Sequence, residues 1–333
     1  MTMFSNHDDI SQFVADMPQA NDAIAAAAQS HQNNLTKPPG SLGKLEELAV
    51  FLASWQGQDK PKLDKAQAII FAGNHGICAQ GVNPFPQEVT QLMVANFEGG
   101  GAAMNQLCGI SGAELKVVPL SLDTPTADFT QTEALTEDEL FEAIAIGASS
   151  IDTDADIIVL GEMGIGNSTI SSALAASVFG GDTKSWVGAG TGSDDAGKAR
   201  KADVIDTGLD KHGRRQDLSA LRAFGGREQA AICGAILAAR AARIPVLLDG
   251  FICTAAAAPL YGLSPQSLDH CLVGHKSVEP GHQKLLDEMG KSAILDLDMR
   301  LGEGTGAALA LSILRGAVAC HNNMATFESA GIA

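Results

Sequence analysis

Apolar residues change their spacing near residue 60. Before that point Leu42, Leu45, Leu48, Phe51, Leu52 and Trp55 recur at three- and four-residue intervals, and Asn21 to Gln29 is alanine-rich, so residues 1 to about 60 read as helical. Between the two helical stretches lies Leu35-Thr36-Lys37-Pro38-Pro39-Gly40-Ser41-Leu42-Gly43. A double proline followed by glycine cannot continue a helix, which makes this a fixed loop, either a hinge or part of a site. From about residue 66 the pattern becomes short apolar runs that end in glycine-bearing turns and lead into helices. Strands are predicted at Ala68–Ala72, Leu115–Leu120, Ile157–Leu160, Ile244–Leu248 and Ile294–Leu297, and Trp186-Val187 reads as a further short run ending in glycines. Helices are predicted over Gln87–Leu107, with Val89, Leu92, Met93 and Phe97 on one face, over Ile170–Val178, from Asp194, over Arg227–Arg243, and beyond Gly306. Thr136 with Glu139 forms a capping box ahead of the stripe Leu140, Ile144, Ala148.

Repeated strand, glycine loop and helix units predict an α/β fold, a parallel sheet covered by helices on both faces in three layers. Right-handed crossovers gather the loops at the carboxyl edge of the sheet, where open α/β folds bind ligands. The helical stretches at the two ends of the chain form a small helical subdomain if the termini meet in space, and otherwise complete the outer layer. On the first reading residues 1–60 are the N-terminal part of that small domain, 61–305 the sheet domain, and 306–333 a C-terminal helical part packing with the N-terminal region.

Composition narrows the partners. The 333 residues carry 39 acidic and 22 basic side chains, a net charge of -17 that repels nucleic acid. A small phosphorylated substrate is still admissible, because backbone N–H groups and a single lysine can hold one phosphate locally. The six cysteines, Cys78, Cys108, Cys233, Cys253, Cys271 and Cys320, form no CxxC pair and read as reduced packing residues. Met1 to Asp16 has no basic region followed by an apolar run, and Thr305 to Cys320 contains Arg315 and reads as a buried helix. A cytoplasmic protein with no membrane contact is expected.

Gly161-Glu162-Met163-Gly164-Ile165-Gly166-Asn167-Ser168-Thr169 is the strongest local phosphate signal, since its glycines permit close backbone approach and a helix terminus follows. It is neither a Walker motif nor a standard GxGxxG, and a tight architectural turn is the competing reading. A second loop, Gly188-Ala189-Gly190-Thr191-Gly192, precedes Lys201, which sits about two turns into the next helix and can reach back toward a phosphate, unless it belongs to a solvated helix face. Glu303 stands between Gly302 and Gly304 at a strand-to-helix turn, an exposed carboxylate that serves either as a general base or as a helix-capping acid. Glu162 poses the same question, and two carboxylates suit the positive charge that develops at a sugar's anomeric carbon. His75 is a candidate for orienting substrate or for a structural hydrogen bond. His270, His275 and His282 around Glu279 match no familiar metal motif and read as loop or interface structure.

Five segments in this order, Lys37 to Gly43, Pro86-Gln87-Glu88-Val89-Thr90, Gly161 to Asn167, Gly188 to Gly192, and Arg300-Leu301-Gly302-Glu303-Gly304-Thr305-Gly306, make the chain resemble the nicotinate-nucleotide:dimethylbenzimidazole phosphoribosyltransferase family along nearly its whole length. The resemblance implies a Rossmann-like domain with a small helical domain, a homodimer, and transfer of phosphoribosyl from nicotinate mononucleotide to 5,6-dimethylbenzimidazole with inversion. It implies Glu303 as general base and Glu162 as a second active-site acid. His75, Pro86, Gln87, Met163, Gly164, Gly166, Asn167, Gly190, Thr191, Gly192 and Lys201 become substrate-binding positions. Because nicotinate rather than pyrophosphate leaves, the usual reason for a magnesium clamp is missing, and no metal and no cofactor are expected. Asn74 departs from the aspartate frequent in the family, and Pro119 stands where an aspartate is common. The rival readings are a nicotinamide-dinucleotide oxidoreductase with an unusual glycine loop and a nucleotide-binding sensor without catalysis.

Overall fold

The computed structural model describes residues 4–332. Along the chain run α1 (His7–Ala15), α2 (Asp22–Asn34), α3 (Lys44–Gln56), β1 (Ala66–Ala72), α4 (Glu88–Glu98), α5 (Ala103–Ser111), β2 (Ala113–Pro119), α6 (Glu137–Ser150), β3 (Ile157–Met163), α7 (Asn167–Phe179), α8 (Asp195–His212), α9 (Leu218–Phe224), α10 (Arg227–Ala241), β4 (Val246–Leu248), α11 (Phe251–Leu263), β5 (Cys271–Lys276), α12 (Pro280–Glu288), β6 (Ala293–Asp296) and α13 (Thr305–Asn323). The strands form one sheet in the order β2-β1-β3-β4-β5-β6, parallel throughout. The α/β expectation holds. Chain order reverses between β1 and β3, and the crevice at their carboxyl ends is where such sheets accept ligands.

Alternation along the central strands divides the core in two. Ile69, Phe71, Ile158 and Leu160 face a cluster built from α6, α7, α10 and α11. Ala68, Ile70, Ile157 and Val159 face the opposite way, against α3, α5 and α13. Both faces are therefore dry, which is why these strands read as unbroken apolar runs rather than as alternating ones. Helix α3 packs on both α2 and α13. Helix α1 instead joins the first cluster through Ile10, with His7 edge-on to Phe141 at 4.9 Å.

The expected helix over Gln87–Leu107 is two helices, α4 and α5, because the chain turns at Gly99-Gly100-Gly101, where Gly100 has φ +76°. Trp186-Val187 belongs to no strand; Trp186 is buried as a side-chain anchor, its indole N–H donating to the Gly180 carbonyl at 2.7 Å. Strand β5 was not foreseen, because Gly274, His275 and Lys276 interrupt its apolar run. Asn74 donates from its side-chain nitrogen to the Leu122 carbonyl at 3.0 Å, a bond that an aspartate could not donate. All six cysteines are free. Among the described residues no helix is long and apolar enough to cross a membrane.

Candidate active site

The ends of β3, β4, β5 and β6 open into a cavity of about 580 Å³ at the carboxyl edge. One wall is apolar and comes from Phe85, Val89 and Met93 of the β1–α4 segment together with Met163. The lining also carries Glu162, Asp249, Glu279 and Glu303, together with the turns at Gly164–Ser168 and Gly190-Thr191. The cavity thus pairs a surface suited to a flat aromatic molecule with amide-rich turns suited to an anion.

Glu303 is buried, 8% exposed, rather than projecting into solvent as its glycine turn suggested. Its backbone has φ +64°, a left-handed conformation that costs a non-glycine residue about 1–2 kcal/mol. The turn lies directly on β3: a Cβ at Gly161 would stand 2.6 Å from the Glu303 carbonyl oxygen, so glycine is required there. The role of helix-capping acid is already filled by Asp249, whose two oxygens accept the N–H groups of Gly304 at 3.2 Å and Ala307 at 2.9 Å. Burial first, then the Asp249 charge, push the Glu303 carboxyl up to about 7.

Glu162, next to last in β3, is buried at 4% exposure. It accepts the Asn167 side-chain amide. Burial, and then the neighbouring charges of Asp249, Glu228 and Glu303, push it up to about 8. Asp249 is likewise raised by burial, against the opposing pull of His275, whose Nε2 lies 3.6 Å from Asp249 Oδ1.

At the far end, Gly166 enters α7 with φ +95°. Lys201 is not on a solvated helix face: it is 2% exposed, and its ammonium donates to Ser168 Oγ at 3.1 Å and the Gly188 carbonyl at 3.4 Å. Burial lowers its affinity for the proton, with Glu279 opposing. Gly190, with φ +54°, donates its N–H to Glu279 Oε1 at 2.9 Å, and its carbonyl accepts Arg300 Nη1 at 3.2 Å.

Of the residues singled out from sequence, Glu162, Glu303, Met163, Gly164, Gly166, Asn167, Gly190 and Thr191 line this cavity. Lys201 stands one layer behind, through Ser168. His75, Pro86, Gln87 and Gly192 are not on the wall. His75 is wholly buried behind Gly164, with Nε2 3.0 Å from Glu228 Oε1, and its carbonyl accepts the Gln87 side-chain amide. Sequence reading assigned no site role to Asp249, Ser277, Glu279 or Arg300 and took His275 for loop or interface structure, whereas His275 lies in β5 and all five line the cavity. Asp249-Gly250 directly after a predicted strand was the available signal; His275 and Ser277 needed β5 to be recognised.

The family model described as phosphoribosyltransferase matches residues 17–332. A nicotinate-nucleotide–dimethylbenzimidazole phosphoribosyltransferase of Rhodobacter capsulatus is 58% identical over 332 residues, covering 100% of this chain and 99% of the relative. One of the same name from Mesorhizobium japonicum is 52% identical over 99% of this chain and 98% of its own length. The crystal structure of the Thermus thermophilus enzyme of that name superposes with a TM-score of 0.87 at 36% identity, covering 94% of this chain and 99% of that one. This chain belongs to the nicotinate-nucleotide–dimethylbenzimidazole phosphoribosyltransferase family.

Proposed function

We propose that the protein transfers the phosphoribosyl group of nicotinate mononucleotide to 5,6-dimethylbenzimidazole with inversion, releasing nicotinate and α-ribazole 5'-phosphate. The observation that carries this reading is Glu303, a carboxyl poised near neutrality between an apolar wall and a phosphate-sized set of turns. The benzimidazole stacks against Phe85, Val89, Met93 and Met163 and loses its ring N–H proton to Glu303. Its other nitrogen then attacks the anomeric carbon. The bond to the pyridinium nitrogen breaks, and that nitrogen takes the electron pair and leaves neutral, so the leaving group needs no acid. Asp249, and Glu162 in its ionised form, add negative charge beside the carbon where positive charge develops. The phosphate sits at the Gly164–Ser168 and Gly190-Thr191 turns, with Lys201 behind and Arg300 at the rim.

In this reading residues 1–60 and 306–333 supply the small helical unit and 61–305 the sheet that carries the chemistry, with α1 the exception on α6. A cytoplasmic homodimer is the assembly we infer. The six free thiols support the compartment, and the exposed Ile110 and Ile313 on neighbouring α5 and α13 support a partner surface. Incubation of the purified chain with both substrates, followed by chromatography, tests the reaction: free nicotinate and the phosphorylated nucleoside must appear in equal amounts. Two bound substrates that yield neither would sink it.

A further inference from the structure

Each of the two peptide groups that meet at Ile165 is held by a side chain. The Ile165 N–H donates to Thr90 Oγ1 at 3.1 Å, and the Ile165 carbonyl accepts the Cys78 thiol at 3.2 Å. Both polar groups of this residue, at the centre of the nucleotide turn, are thus satisfied by side chains of another segment. Gly164 and Gly166 flank it, so each of these two peptide groups adjoins one glycine, whose missing side chain hinders its rotation least. Such a rotation would re-aim the amides that lead into α7. Thr90 is fully buried on α4, and on the same helix Val89 and Met93 line the apolar wall. Pressure on that wall therefore reaches the nucleotide turn through one hydrogen bond.

We propose that Thr90 is a positioning residue that couples the two halves of the site, so that the aromatic acceptor and the nucleotide each strengthen the other's binding. The orientation of the Gly164–Ile165 peptide, whose N–H is held by Thr90 and whose carbonyl accepts the Asn167 N–H at 3.2 Å, is the element through which each ligand acts on the other. The inference rests on the assignment of the two substrates above. Coupling of this kind is reciprocal, and a factor of about 5–150 is usual between linked sites.

The test measures the dissociation constant of nicotinate mononucleotide by calorimetry, with and without saturating dimethylbenzimidazole, on the full chain carrying Glu303→Gln to stop turnover. The nucleotide is expected to bind roughly tenfold more tightly when the base is present. Adding Thr90→Val, which keeps the shape and removes the acceptor, should bring the ratio close to one, while Thr90→Ser should restore it. Cys78→Ala, which frees the carbonyl instead, should lower the ratio part of the way and serves if the valine variant does not fold. A ratio of one in the parent, or an unchanged ratio in Thr90→Val, overturns the coupling. The product assay on the unmutated chain is independent of this measurement, so loss of the reaction and loss of the coupling are told apart.

Discussion

At the amino edge of the sheet the Arg240 guanidinium is fully buried, donates to the carbonyls of Pro18 and Gln266 and to the Gln19 side-chain oxygen, and lies 4.3 Å over the Trp55 ring. At the carboxyl edge Glu162, Glu228, Asp249 and Glu303 are buried together, and among the described residues no lysine or arginine pairs with any of them. The same sheet thus holds one buried charge with its hydrogen bonds made and a cluster of others short of compensation. The first arrangement fixes structure: it ties α10 to the loop before α2 and to α3. The second raises the proton affinities of Glu162, Asp249 and Glu303 toward the working range of an acid–base site.

Exchanging the charge at each edge should separate these roles. Glu303→Gln keeps the size of the side chain and removes the proton acceptor, so turnover should fall by about 10²–10⁴ with nucleotide affinity little changed. In the unmutated enzyme kcat/KM should rise with pH through about 7, as the Glu303 carboxyl gives up its proton. A variant that turns over at the parental rate, or a parental profile flat from pH 5.5 to 8, removes Glu303 from the role of base.

Arg240→Met should do the reverse. The carbonyls of Pro18 and Gln266 lose their donor inside the protein, at an expected cost of about 3 kcal/mol read from urea unfolding, while kcat of the folded enzyme stays within about twofold. A large loss of kcat without loss of stability would mean that the amino edge is not merely structural.

What was legible in the sequence follows the same division between local and assembled features. The Thr136 capping box was legible because both of its bonds are local: Glu139 N–H to Thr136 Oγ1 at 3.2 Å and Thr136 N–H to Glu139 Oε2 at 2.8 Å. The central strands were legible because burial on both faces leaves an apolar run. The glycine turns around Glu162, Gly190 and Glu303 announced a site, but not its electrostatics. The burial of Glu303 depends on β3 lying under its turn, and its proton affinity on Asp249 arriving from the end of β4. Nothing near residue 303 encodes either fact. Lys201 failed in the same way: its neighbours Lys198 and Arg200 are surface residues, and only the fold places its ammonium on Ser168.

Lys201 sharpens the comparison, because it is a buried cation at the edge where the carboxylates lie. Lys201→Met should weaken nicotinate mononucleotide binding by about 10-fold through loss of the positive charge that stands behind Ser168 at the phosphate turns. Binding of the nucleoside without phosphate should hardly change. Equal losses for nucleotide and nucleoside would show that Lys201 supports the Gly188–Ser193 turn rather than the phosphate.

The smallest effect expected is a gain in stability. In the folded chain Glu162 is raised from the ordinary 4.5 to about 8. Below pH 4.5 the carboxyl is protonated in both the folded and unfolded states and costs nothing. As pH rises through the interval up to about 8, the unfolded chain releases this proton and the folded one resists, so stability is lost across that window. Glu162→Gln cannot ionise and loses that slope. Its amide can keep the Asn167 contact, with Asn167 turned to present its oxygen to the new NH₂ group. The variant should therefore be slower than the parent but more stable at pH 8, by about 1–2 kcal/mol and roughly 2–5 °C in Tm. The gain should shrink toward zero near pH 5. A variant that is less stable at every pH would show that Glu162 is a paired structural acid, and the carboxyl edge would then resemble the amino edge after all.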